Sequence, residues 1–122
     1  MKSYTDLEQS KKLAEILPLE SADMYYHPYP NDEDWYDIPN FGEADFKFNQ
    51  LPCWSLAALL DVLPKHIKDY NVLRIDIGEK DFSMWYDEIG FGVNSDLPDI
   101  TMEEPIDACY EMIIRLNELK ML

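Results

Sequence analysis

Leu73-Arg-Ile-Asp-Ile-Gly-Glu-Lys-Asp-Phe-Ser-Met-Trp-Tyr86 is the stretch whose reading decides the fold. Leu73, Ile75 and Ile77 alternate with Arg74 and Asp76, and Phe82, Met84 and Tyr86 alternate with Ser83 and Trp85. A period of two sends every second side chain to one face of a half-buried sheet. Gly78-Glu79-Lys80-Asp81 supplies turn chemistry between the two runs, so together they predict an antiparallel hairpin. Ile89, Phe91 and Val93 offer a third strand, broken by Gly90 and Gly92, and Asn94 to Ile100 reads as loop.

Moving outward, the period changes. A helix is predicted from Glu104-Pro105, because proline fits a first turn whose amides have no helical partner. Ile106, Cys109, Tyr110, Ile113 and Leu116 mark its buried stripe, with Met112 and Leu119 beside it. On the other side of the hairpin, Pro52 to Pro64 reads as a short, largely buried helix with Ser55 as N-cap and Pro64 as its stop. Phe46 and Phe48 flank Lys47 in a short strand, and Ala22 to Tyr26 forms another. Between those strands, residues 27–40 carry Pro28, Pro30 and Pro39 and a block of acids, which makes them a long loop. The first helix runs to Leu17, where Pro18 stops it, and opens on a Thr5/Glu8 capping box. Helix, strand, loop, helix, hairpin and helix add up to one α+β domain over residues 1–122. The expected architecture is a small antiparallel sheet with about three helices packed mainly on one face.

Four pieces of this pattern resemble, in order, small uncharacterised proteins encoded by phages, prophages and mobile elements of gut Bacteroides-type bacteria. They are Thr-Asp-Leu-Glu-Gln-Ser-Lys-Lys-Leu-Ala-Glu-Ile-Leu (5–17), Ser-Ala-Asp-Met (21–24), Cys-Trp-Ser-Leu-Ala-Ala-Leu-Leu (53–60) and Pro-Ile-Asp-Ala-Cys-Tyr-Glu-Met-Ile (105–113). The group carries no assigned activity, so the resemblance implies no site residues. It implies a setting: an accessory protein working inside an infected or lysogenic cell.

Twenty-five Asp and Glu face ten Lys and Arg, a formal charge of −15. Such a field repels phosphate backbones and anionic membrane surfaces, and it permits a basic protein partner or bound cations. No apolar run approaches the ~18 residues of a membrane-spanning helix, and Met1 to Asp6 leads into an amphipathic pattern rather than a signal segment. Cys53 and Cys109 sit in apolar surroundings without a CxxC partner, which reads as two buried thiols in a reducing cytoplasm.

Catalytic chemistry finds little foothold. His27 and His66 have no Cys or His at ligand spacing, so no structural zinc site is expected. Asn31-Asp-Glu-Asp34 lacks the alternating ligands and central glycine of a calcium loop. Ser55 stands in no nucleophile elbow, Cys53 could meet a histidine only through the fold, and four glycines form no phosphate cradle. No catalytic residue, metal or cofactor is therefore expected. The distinctive surface candidate interleaves aromatics with acids: Tyr29, Asp32, Glu33, Asp34, Trp35 and Tyr36, with Tyr25, Tyr26, Asp37 and Phe41 as neighbours. Tyr and Trp give contact area at low entropic cost, and acids around them select a basic partner. The reading that follows is a non-enzymatic accessory protein that binds a protein partner through this surface. A DNA mimic that blocks a nucleic-acid-binding protein is the alternative, and a small enzyme with an unrecognised site comes third.

Overall fold

The computed structural model describes residues 1–30, 35–68, 71–88, 92–93 and 97–122. They fall into two compact units, Lys2–Val62 and Leu63–Leu122, with Met1 joining the latter. The chain is α+β, and every strand pairing among the described residues is antiparallel.

In the N-terminal unit, α1 (Leu7–Ala14) opens one residue later than the Thr5/Glu8 box implies. Asp6 is the cap: its carboxylate accepts from Gln9 N at 2.8 Å, and Gln9 Oε1 accepts from Asp6 N at 3.1 Å. The Thr5 hydroxyl is occupied elsewhere, by Ser10 Oγ and the Trp54 amide. The helix also ends before Leu17, at Ala14. Pro18 has no N–H for the Ala14 carbonyl, so the last α-type bond is Leu17 N to Leu13 O, and the chain tightens into a turn. Strands β1 (Met24–Tyr26), β2 (Asn40–Phe41) and β3 (Leu51–Cys53) form a sheet in the order β2-β1-β3.

β3 corrects the expectation that Pro52 and Cys53 begin a helix. Ser55 is the N-cap as expected, accepting from Ala58 N at 3.2 Å, and this fixes the start of α2 (Leu56–Val62) at the next residue. Pro52 sits on an edge strand, where its missing N–H costs no ladder bond. Phe46–Phe48 is a 3₁₀ turn rather than a strand, because Asp45 accepts from Lys47 N at 2.9 Å and Asn49 takes a left-handed conformation at φ 55°. Two regular pairings fall within the segment expected to be loop. Pro28 and Trp35 form a β-bridge, and the loop's last residue, Asn40, belongs to β2.

The C-terminal unit is built on the predicted hairpin. β4 (His66–Ile67) pairs with β5 (Asn71–Ile77), which pairs with β6 (Phe82–Glu88) in a register that sets Ile77 opposite Phe82. Gly78 N donates to Asp81 O at 2.8 Å and closes the connection. β7 (Gly92–Val93) and β8 (Asp99–Met102) both line the other side of β6. Of the predicted third strand, Ile89 and Phe91 lie outside the described residues, while Val93 belongs to β7. The loop expected through Ile100 ends at β8; Ile100 is buried opposite Met84 while Asp99 and Thr101 face outward, an alternation too brief to stand out in the sequence. The final helix, α3 (Pro105–Glu118), begins where Pro105 implies, packs on β6 and β8, and buries Ile106, Cys109, Met112, Ile113 and Leu116 completely.

Candidate functional site

The N-terminal unit holds two contrasting environments. At its centre the segment before α1 is bolted to β3 through Thr5. Thr5 N donates to Trp54 O at 2.9 Å, and Trp54 N donates back to Thr5 Oγ1 at 3.1 Å. Thr5 Oγ1 also lies 2.8 Å from Ser10 Oγ, and Tyr26 Oη donates to Thr5 O at 2.7 Å. Thr5, Ser10 and Cys53 have no solvent exposure, so each of these bonds replaces one that water would otherwise make.

The Cys53 thiol donates to Thr5 O at 3.4 Å and accepts from Thr5 Oγ1 at 3.6 Å. Burial pushes its pKa up, against smaller opposing contributions from the hydroxyls of Thr5, Ser10 and Tyr26. His27, one of its two conceivable histidine partners, has Nδ1 3.3 Å from Gln50 Nε2. A thiol held protonated is a poor nucleophile, and Cys53 acts as packing. Ser55 is similarly committed: Asp23 accepts both its N–H and its hydroxyl, and Ser55 Oγ receives Ala58 N. That arrangement starts a helix, with the Ser55 hydroxyl held between the Asp23 carboxylate and the Ala58 amide. Among the described residues, no three His, Cys, Asp or Glu side chains gather as metal ligands.

The surface of the same unit is where apolar groups stay in solvent. Tyr36 N donates to His27 O at 2.9 Å, and the Tyr29 and Tyr36 rings lie 4.1 Å apart, both partly exposed. Trp35 is half-buried and already used. Its Nε1 donates to Asn49 O at 3.1 Å, Lys11 Nζ sits 5.0 Å over its ring, and it packs on the Met24, Tyr26, Leu51 and Cys53 core. Of the predicted surface residues, Tyr29 and Tyr36 are therefore brought together on the outside. Trp35 serves as their anchor, while Asp32, Glu33 and Asp34 lie outside the described residues.

The largest apolar exposures of this unit come just after this segment: Ile38 at 74%, Phe41 at 83%, Phe46 at 65% and Phe48 at 61%. Phe41 was legible as a member of the aromatic set; Ile38, Phe46 and Phe48 were not. A signal existed for the last two, since Asp45 and Asn49 bracket them with turn chemistry, and a tight turn has no inner face to bury both rings. Gly42 completes the presentation of Phe41. Its φ of 130° favours glycine, and a Cβ there would come within 3.2 Å of the Tyr25 ring. Exposed carboxylates of Asp37, Glu43 and Asp45 alternate with these side chains. An open hollow of about 460 Å³ lies among Leu19, Glu43, Ala44, Asp45, Phe46 and Lys47.

Comparison with protein-family models, curated proteins and solved structures finds no match to this chain. Among the described residues, no helix is long and apolar enough to cross a membrane.

Proposed function

We propose that this chain is a non-enzymatic binding protein that engages a basic protein partner through the acidic, aromatic surface carried by Tyr29 and residues 36–48. One observation carries the reading: Ile38, Phe41, Phe46 and Phe48 are all more than half exposed within eleven residues of chain, 38–48. Single apolar side chains at a surface are ordinary, whereas a concentration of large ones marks a place where another molecule is received. Aromatic anchors supply the contact area, and the free carboxylates of Asp37 and Glu43 beside them favour a cationic partner and raise its rate of encounter. The resemblance to phage and mobile-element proteins supports a setting inside a bacterial cell, with a host or phage protein as the partner.

Affinity capture from the natural host lysate, at low and at moderate salt, tests this reading. The immobilised chain is expected to retain a basic protein, more strongly at low salt, and Asp37→Lys combined with Glu43→Lys is expected to weaken retention and flatten its salt dependence. Retention of nothing at either salt contradicts the reading. Retention that added DNA competes away moves it to mimicry of nucleic acid.

A further inference from the structure

The C-terminal unit has an unfinished sheet edge. β5 spans Asn71–Ile77, but β4 covers it only at Asn71 and Val72, with one more bond from Leu73 N to Lys65 O at 2.9 Å. That bond points away from β6. In an antiparallel ladder successive residues turn their N–H and C=O groups to opposite sides, so Ile75 and Ile77 face the same open side as Leu73, and Arg74 and Asp76 face β6. The Gly78 N to Asp81 O bond gives the same phase from the turn end. Among the described residues nothing pairs with the backbone groups of Ile75 and Ile77 on that edge.

Side chains along the edge specify what would fit. Ile75 and Ile77 stand in line with Met84 and Phe82 on the face that α3 covers, yet they are 40% and 77% exposed because the cover stops short of this edge. On the other face Arg74 is engaged by Asp87 at 3.5 Å, and Ser83 and Thr101 are bonded to each other at 2.9 Å. The exposed Asp76 carboxylate has no ion-pair partner among the described residues. We propose that this edge accepts an extended, basic segment of another protein as an added strand. Its residues facing Ile75 and Ile77 would be apolar, and the one facing Asp76 would be Lys or Arg.

The four free backbone groups of Ile75 and Ile77 would bind the added main chain, and the alternation would select its sequence. A second copy of this chain is the wrong occupant. The register that bonds Ile75 of one copy to Ile77 of the other sets Asp76 directly against Asp76, within a chain of net charge −15. This edge belongs to the C-terminal unit, and the aromatic surface belongs to the N-terminal one.

A short end-capped peptide alternating valine with lysine, titrated into the isotope-labelled full chain, tests the proposal by NMR. The Ile75 and Ile77 amides are expected to shift and to gain protection from exchange. The same peptide with glutamate for lysine should bind about five-fold more weakly, and Asp76→Lys, a change at an exposed edge position, should reverse that order. N-methylation of the pairing valine amides should abolish the effect. The proposal is overturned if the lysine peptide leaves Ile75 and Ile77 unchanged or shifts only residues 36–48. It is also overturned if those two amides become protected with rising protein concentration in the absence of peptide, which is self-pairing.

Discussion

Phe41, Phe46 and Phe48 in the N-terminal unit and Ile106, Met112 and Ile113 in the C-terminal unit are comparable in apolar bulk, yet the first three lie in solvent and the last three are fully buried. The difference comes from the backbone that carries them. α3 repeats its apolar positions at helical spacing over fourteen residues, so one continuous stripe meets β6 and β8. The three phenylalanines sit on a two-residue strand and a three-residue turn, which have no sustained face to bury. Regular elements hide bulk, and short irregular ones display it. Ile75 and Ile77 mark the limit of that rule: they lie on a seven-residue strand yet stay exposed, at a stretch of edge where no further strand pairs among the described residues.

The contrast can be sharpened by substitution. Ile113→Ala should cost about 2–5 kcal/mol in chemical denaturation, because a fully buried aliphatic side chain leaves a cavity. A fall of under about 0.5 kcal/mol, typical of surface sites, would mean that α3 is not seated as described.

Alkaline titration probes the same core. Burial pushes the Cys109 thiol from 9.0 up to about 12, partly opposed by Lys65. Below pH 9 the folded and unfolded chains both keep this proton, so its contribution to stability is full there. Between pH 9 and about 12 the unfolded chain releases the proton first and stability falls. Above that range the contribution is gone. Burial moves the Tyr86 phenol in the same direction, so Cys109→Ala should make the alkaline decline shallower without removing it. An unchanged slope in denaturation measured from pH 8 to 11 would contradict the burial assigned to the thiol.

In the N-terminal unit the expected effect is smaller. Thr5→Val keeps the shape and removes one hydroxyl, leaving Trp54 N–H unpaired and Ser10 Oγ without its closest partner. About 1–3 kcal/mol should be lost in urea denaturation, and Thr5→Ser should recover most of it. Loss in Thr5→Ser with none in Thr5→Val would show that the methyl group, rather than the hydroxyl network, matters.

Much of this architecture could be read in advance where periodicity was long. The hairpin register and α3 follow from alternation and from Pro105. Short elements hid because competing local bonds decided them. Thr5 looked like a cap but went to the interior, leaving Asp6 to cap; Leu51 to Cys53 became a strand once Ser55 fixed the helix start. The binding surface was legible only in part. Tyr29 and Tyr36 were found through composition, while Trp35 proved to be an anchor, because its indole N–H meets a backbone carbonyl that no sequence pattern announces. Phe46 and Phe48 resembled a strand because alternation over three residues cannot be told from a turn.

The combined variant Phe41→Ser, Phe46→Ser and Phe48→Ser tests the central claim most directly, with its denaturation midpoint and its retention of the captured partner measured side by side. Rings that serve display should leave the midpoint close to that of the parent chain while retention is lost. A lowered midpoint with retention intact would show that these rings hold the unit together and that binding, if any, lies elsewhere.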